Sequence, residues 1–393
     1  MRWVKTSPSG CSARRWSKSS RSSRGAFAKV TRLRACVSNT DDTRFSEPFT
    51  HGDNMTSQSG STRPGLEFPN KNSHRWGVIL AGGDGRRLLP LTRMIAGDER
   101  PKQFCTIMGR ETLLDQTCGR LRKSIRPQQT LIVVTKTHER FYSDLFGGPD
   151  GSQMLAQPCN RGTAPAIAYS LLRLRQLDPS GVVAMFPSDH HFTDETAFTA
   201  DLETAFDAAE ARPDRLMLLG ILPDYPEVSY GWIEPGAPLG GSLPDSVCHV
   251  SCFWEKPSRA VASALMSDGC LWNSFVMIGK VDTFWALTQR ALPKLAGAFE
   301  SIRPTLFTAR EDAALLDLYA GIPSSSFSEE VLATYPDNLA VVCGGSLGWS
   351  DLGEPRRVLS VLEREGIRPE WDLERLEESN VPARASEGPK WMA

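Results

Sequence analysis

No run in the 393-residue chain approaches the ~20 apolar residues needed to span a bilayer. A surplus of charge is also missing. The formal net charge is −1, so no bulk pull toward nucleic acid or a membrane surface is expected. The nine cysteines include no CxxC pair and no Cys/His group at zinc spacing, so they read as reduced thiols of a cytoplasmic protein. No Ser/His/Asp or Cys/His constellation stands out for nucleophilic catalysis. What is present is an ordinary globular composition, 40% apolar and 23% charged, with length enough for one large α/β domain.

One further absence is local. The first forty residues contain no Asp or Glu and are rich in Arg, Lys and Ser. Such a segment cannot bury a core, and residues 1–74 are expected to be disordered. Three readings stay open: an organelle transit peptide, a nucleic-acid-binding arm, or a translated upstream region with Met55 as the true start.

From Arg75 the punctuation becomes regular. "WGVILAG", "TLIVVT" (130–135), "GVVAMFPSDH" (181–190) and "RLMLLGI" (215–221) read as buried strands. "ETLLDQTCGRLRKSI" sets Leu113, Leu114, Thr117, Leu121 and Ile125 on one helical face. "TAPAIAYSLLRLRQL", with Pro165 in its first turn, and "DETAFTADLETAFDAAEA" read as further helices. The alternation predicts a doubly wound α/β sheet over 75–355, mixed but mainly parallel. After Ile221 the strands shorten ("YGWIEPG", "CHVSCFWEKP", "VMIGK") and suggest a smaller antiparallel part. Helices are expected near 258–268 and 281–300, a strand and polar loop at 339–353, and a C-terminal helix and tail over 356–393.

The richest stretch is "ILAGGDGRRLLPLT" (79–92), followed by "RPKQF" (100–104). It is not a Walker A loop, because no Lys follows the glycines directly. It is not the dinucleotide fingerprint either, since Leu88 stands where the third glycine belongs. The physics of a phosphate cradle is still there. Gly82, Gly83 and Gly85 permit close backbone approach, and Arg86, Arg87 and Lys102 can neutralise charge. Arg87 also reads as a solvated surface residue.

"LAGGDGRRLLPLTR…RPKQF" resembles the signature of the sugar-1-phosphate nucleotidyltransferases, and its Pro-Lys-Gln-Phe ending resembles the mannose-1-phosphate guanylyltransferase branch. "QPCNRGTAPAI" (157–167), "FPSDH" (186–190), "YGWIE" (230–234), "FWEKP" (253–257), "WNS" (272–274) and "GWSDLG" (348–353) follow in the family's order. The resemblance covers roughly 75–355 and implies a Rossmann-like nucleotidyltransferase fold whose antiparallel part binds sugar. Two departures mark this chain. Gly162 stands where the branch often has Asn, and Phe275 where the family commonly has Gly.

The implied reaction joins a nucleoside triphosphate, with GTP favoured, to a sugar-1-phosphate, with mannose-1-phosphate favoured, and releases pyrophosphate. The nucleophile is a phosphate already largely dianionic at neutral pH, so no general base is required. Cations and oriented dipoles must do the work. The resemblance assigns Lys102, Arg86 and Asp189 to catalysis. It gives Leu80, Ala81, Gly82, Gly83, Gly85, Gln157, Asn160, Arg161 and Thr163 to the nucleotide. Tyr230, Gly231, Glu255, Lys256 and Asn273 fall to the sugar phosphate, and Asp189 and Asp351 to Mg²⁺. His190 and His191 read as supporting residues. Thr163 also reads as a plain helix cap. Small-molecule substrates are expected, with no nucleic acid or membrane partner, and self-association into a homo-oligomer is open. The alternatives are another hexose- or heptose-1-phosphate, another triphosphate, or a catalytically silent homologue that senses a nucleotide sugar. The family's longer members carry a sugar-phosphate isomerase domain, and no isomerase activity is expected here.

Overall fold

The computed structural model describes residues 74–143, 153–369 and Trp371. The expectations for the N-terminal segment up to residue 73 and for the tail after Trp371 lie outside the described residues. Nine strands occur among them: β1 (Arg75–Leu80), β2 (Thr130–Thr135), β3 (Gln153–Gln157), β4 (Val182–Pro187), β5 (Leu216–Ile221), β6 (Gly231–Pro238), β7 (Val247–Glu255), β8 (Leu271–Lys280) and β9 (Leu339–Cys343). They form one sheet in the order β3-β2-β1-β4-β8-β5-β9-β7-β6, and β6 also pairs with β8.

The sheet is mixed, but parallel pairing does not dominate it. Four pairings are parallel, and five are antiparallel. The main cause is β8. Its sequence reads as one of the short later strands, yet it lies between β4 and β5 and runs against both. Its ten residues are nearly all buried, which suits a central position. The later antiparallel strands are therefore stitched into the same sheet.

Helices cover both faces. They are α1 (Leu89–Ala96), α2 (Leu113–Leu121), α3 (Thr163–Leu177), α4 (Glu195–Ala211), α5 (Arg259–Ser267), α6 (Val281–Ala291), α7 (Pro293–Ile302), α8 (Glu311–Gly321) and α9 (Pro355–Glu365). Thr112 and Asp115 form a reciprocal capping box at the start of α2. Asp194 caps α4 by accepting from the Ala197 amide at 2.8 Å. The helix expected over 281–300 is two helices, because Pro293 disfavours helical backbone at Leu292, whose φ is −129°. The sequence pattern marks neither β3 nor α8. In α8 the apolar residues Ala313 to Leu316 run consecutively and show no period.

Strand alternation divides the core. Val78 and Val133 join α3, α6, α7 and α8 on one face, while Ile79, Ile132 and Val134 join α2 and α4 on the other. A third, smaller cluster joins Leu88 and Leu91 to Leu352, Val358 and Leu362. It packs α9 and the loop before it against α1, so the glycine loop and the Gly344–Gly353 loop are held together by burial.

Candidate active site

The glycine loop leaves the C-terminal end of β1. A Cβ on Gly82 would lie 2.8 Å from Gln157 Nε2 and 2.9 Å from Thr135 Oγ1, so the backbone passes closer than a side chain allows. Thr135 Oγ1 donates to the Gly82 carbonyl at 3.0 Å. Buried Gln103 donates through Nε2 to the carbonyls of Ala81 (2.9 Å) and Gly83 (2.8 Å). The Gln of "PKQF" thus pins the loop that the Lys beside it faces. Gly85, at φ 60°, turns the chain into the helical stretch beginning at Arg86. Gly85, Arg86, Arg87, Leu88, Lys102 and Gly353 line a cavity of about 260 Å³. The Arg86 side chain is 84% exposed, with Asp84 as its ion-pair partner at 3.6 Å. Arg87 lies on the surface, 3.7 Å from Glu354.

Opposite stands the tip of β4. Thr117 of α2 donates to the Ser188 carbonyl at 3.1 Å and braces it. A short antiparallel bridge then joins this tip to the loop after β9. The His191 amide donates to the Ser350 carbonyl at 2.9 Å, and the Ser350 amide donates back at 3.0 Å. The bridge brings Asp189 and Asp351 to Lys102. Lys102 Nζ is 3.4 Å from Asp189 Oδ2 and donates to the main-chain carbonyl of Asp351. His190 accepts at Nδ1 from Trp349 Nε1 at 3.2 Å. Burial pushes its pKa down to about 4 despite neighbouring Asp189, so it is neutral at pH 7.

The Asp351 carboxylate is bonded mainly through Oδ1. It accepts from the Tyr230 hydroxyl (2.8 Å), the Gly353 amide (2.9 Å) and Arg357 Nη1 (2.7 and 2.8 Å). Burial opposes its ionisation, but the charges of Lys102 and Arg357 outweigh that and hold its pKa at about 2. Burial, helped by the Asp351 charge, pushes the Tyr230 hydroxyl far up, so it remains a donor. In the sequence Arg357 reads only as part of the C-terminal helix. Its partner Asp351 is six residues away, but Glu227 and Ser229 are 130 and 128 residues away, a set that only the fold assembles.

These donors suit a divalent ion unevenly. Asp189 is a partly exposed hard oxygen donor, with Lys102 at 3.4 Å and His190 Nε2 at 3.9 Å as its neighbours. Asp351 accepts three bonds at Oδ1 and one, from Arg357 Nη1, at Oδ2. Among the described residues no group of three or more His, Cys, Asp or Glu is placed to hold a metal ion.

On the other side, Gly231 of β6 pairs with Glu255 of β7. A Cβ at Gly231 would meet Phe253 at 2.9 Å. Strand alternation would send Glu255 and Lys256 to opposite faces. The backbone at Lys256 instead takes φ 46°, and its Nζ pairs with Glu255 Oε1 at 2.9 Å. The "WNS" segment lies in an irregular stretch of the β5–β8 pairing. Asn273 Oδ1 accepts from the Phe275 amide at 3.1 Å. Phe275 sits at φ 63°, a left-handed conformation that favours glycine. Trp232, Trp272 and Trp349 are buried and pack with Tyr230 beneath Asp351.

At the end of β3, Gln157 is buried and accepts at Oε1 from the Tyr319 hydroxyl at 2.9 Å. Asn160 Oδ1 accepts from the Gly162 amide. Arg161 Nε donates to the Tyr319 carbonyl at 3.2 Å. Thr163 Oγ1 accepts from the Phe327 amide at 2.9 Å and does not cap α3, whose N-cap is Gly162. The glycine departure has a physical cause. Gly162 lies at φ 87°, and a Cβ there would be 2.3 Å from the Ser325 carbonyl oxygen. The 325–327 segment thus occupies space that a side chain at 162 would need.

The nucleotidyl transferase family model matches residues 76–365. The chain belongs to the nucleotidyl transferase family. It is 32% identical over 297 residues to the xanthan biosynthesis protein XanB of Xanthomonas campestris pv. campestris, covering 74% of this chain and 60% of that protein. It is 30% identical over 285 residues to the mannose-1-phosphate guanylyltransferase of Escherichia coli, covering 70% and 57%. The chain therefore spans about 60% of the length of these curated relatives. Among solved structures it resembles the protein named mannose-1-phosphate geranyltransferase from Thermus thermophilus, with a TM-score of 0.63, 29% identity, and coverage of 73% of this chain and 79% of that one. In this nucleotidyl transferase no helix of the described residues is long and apolar enough to cross a membrane.

Proposed function

We propose that this nucleotidyl transferase condenses GTP with mannose-1-phosphate to give GDP-mannose and pyrophosphate. The observation that carries the reading is the bridge between His191 and Ser350, which gathers Lys102, Asp189 and Asp351 at the mouth of the glycine loop. The names of the E. coli and X. campestris relatives support the substrate pair. In this reading the amides around Gly82, Gly83 and Gly85 receive the triphosphate, and Lys102 and Arg86 bring positive charge to it. Gln157 and Asn160 face the base. Glu255, Asn273 and the Tyr230–Gly231 backbone receive the sugar, and Lys256 meets its phosphate. Asp189 with substrate oxygens would hold Mg²⁺, which supplies further positive charge when bound. Lys102 orients the two anions, and the buried tips of β4 and the β9 loop keep water from the reacting face. The enzyme would act in the cytoplasm on small molecules, without nucleic acid or membrane.

A second reading keeps the reaction and changes the sugar. Phe275 favours it, because its amide donates to Asn273 Oδ1 and the family commonly has glycine at this position. One assay separates them: four nucleoside triphosphates against several hexose- and heptose-1-phosphates, with pyrophosphate release as readout. GTP with mannose-1-phosphate should give the highest kcat/KM. No release from any pair would refute the reaction class and favour a silent sensor.

A further inference from the structure

Gln157 ends β3, and its side chain stands between the glycine loop and α8. A side-chain amide has two unlike ends, one that accepts and one that donates. Here Tyr319 tells them apart. Its hydroxyl donates to Gln157 Oε1 at 2.9 Å, and both side chains are buried. Among the described residues that oxygen is the one acceptor the hydroxyl proton meets. Turning the amide over would set its NH₂ group against the hydroxyl and leave a buried proton without an acceptor. Burial also pushes the Tyr319 pKa well up, so the hydroxyl stays a donor. The far end of the amide is therefore fixed as NH₂. A Cβ on Gly82 would lie 2.8 Å from Gln157 Nε2, so the nitrogen is the end that fronts the glycine loop. Nε2 donates to no protein acceptor among the described residues.

Tyr319 is itself held in place. Its ring meets Phe299 of α7 edge-on, and its carbonyl accepts from Arg161 Nε at 3.2 Å. At the start of α8, buried Glu311 accepts from the Tyr169 hydroxyl at 2.6 Å and from the Phe307 amide at 2.7 Å. Both ends of α8 are thus tied down, and the hydroxyl has little freedom to follow a turning amide.

We propose that Tyr319 is a positioning residue for base selection. By donating to Oε1 it turns the Gln157 amide so that NH₂ faces the glycine loop. That end favours a base offering a carbonyl oxygen, as guanine does at O6, over one offering an amino group, as adenine does at the same position. Two donors brought face to face leave each other unpaired, and a buried site penalises that. The inference rests on the nucleotidyltransferase reading for Gln157 facing the base. It goes beyond that reading in naming which edge of the base is selected and which residue, with no contact to the base, sets the selection.

The test is calorimetric titration of the full chain, with Mg²⁺ present, using two pairs of nucleotides. GTP is compared with 2,6-diaminopurine riboside triphosphate, and ITP with ATP. Within each pair the base changes from carbonyl to amino at position 6, and the 2-position stays the same. Wild type should bind the carbonyl member of each pair more tightly by about fivefold or more. Tyr319→Phe keeps the ring and loses the hydroxyl, and it should cut both ratios by about threefold or more. A role in packing alone would weaken both members of a pair alike and leave the ratios unchanged. A smaller ratio in wild type, a smaller cut in Tyr319→Phe, or no binding of any of the four overturns the proposal. If Tyr319→Phe does not fold by circular dichroism, Gln157→Leu decides, since removing the amide should cut the ratios as far, and retained ratios overturn the proposal. Pyrophosphate release by wild type with mannose-1-phosphate is measured separately. No release beside the expected ratios contradicts the activity and leaves the role of Tyr319 standing. Release from GTP beside unchanged ratios in Tyr319→Phe overturns that role alone.

Discussion

The glycine loop and the Gly344–Gly353 loop face each other across Lys102, and they are built in opposite ways. The glycine loop is shaped by backbone. Gly82 has no room for a side chain, a Cβ on Gly83 would meet nothing within 4 Å, and Arg86 extends into solvent. Its donors remain available to an incoming anion. The second loop is shaped by side chains already bonded to one another. Asp351 accepts four hydrogen bonds, and the strain of Leu352, at φ 45°, is offset by its complete burial. One side is a receptor left open, and the other is a clamp set in advance. In the proposed reaction this difference would let two polyanions be met without large reorganisation, with fixed charge on one side and flexible charge on the other.

The sharpest way to break this contrast is to remove the residue both loops share. Lys102→Ala should lower kcat by about 10²–10³ with the fold intact by circular dichroism, because a charge-assisted contact to the reacting phosphates is lost. Near-normal turnover would place the phosphates elsewhere. Next in size is Gly162→Ala. A Cβ there meets the Ser325 backbone at 2.3 Å and φ is 87°, so a loss of about 3 kcal/mol in urea unfolding is expected. An unchanged midpoint would mean that the 325–327 segment yields freely.

The buried β4 tip gives a smaller effect that depends on pH. Burial lowers the His190 pKa from 6.5 to about 4. The unfolded chain therefore takes up this proton first as pH falls. The contribution is fully present above about pH 6.5 and is lost progressively as pH falls toward about 4, amounting to roughly 1–3 kcal/mol. His190→Gln should show a shallower fall in Tm over that window, and an identical fall would remove His190 from the account. The smallest effect is expected in β8. Phe275→Gly relieves a left-handed backbone, worth about 1–2 kcal/mol, and forfeits part of a ring's burial of similar size. Net stability should change by less than about 1 kcal/mol. A larger loss would show that the ring, rather than the bulge, holds this stretch of β8.

Sequence reading reaches what is written locally. The glycine loop, Lys102, the tip at Asp189 and the strand rhythm of β1, β2, β4 and β5 are carried by neighbouring residues with a recognisable period. The left-handed turn that joins Glu255 to Lys256 is legible as a need, since alternation alone could not serve both side chains. What stays hidden depends on distant partners. The central place of β8 follows from its pairing with β4 and β5, strands that come far earlier in the chain. Arg357 looks like one more charge on a helix, because nothing near it announces Glu227, Ser229 or Tyr230. The bond from Thr163 to Phe327 spans 164 residues, and so an ordinary cap is the natural local reading.

The most direct measurement follows the bond that the site is proposed to make. Mannose-1-phosphate carrying ¹⁸O in its phosphate is incubated with GTP, and the products are separated and weighed by mass spectrometry. Attack of a sugar-phosphate oxygen on the α-phosphorus predicts that all of the label stays in the GDP-sugar and that the pyrophosphate is unlabelled. Label in the pyrophosphate, or release of inorganic phosphate in its place, would contradict the account.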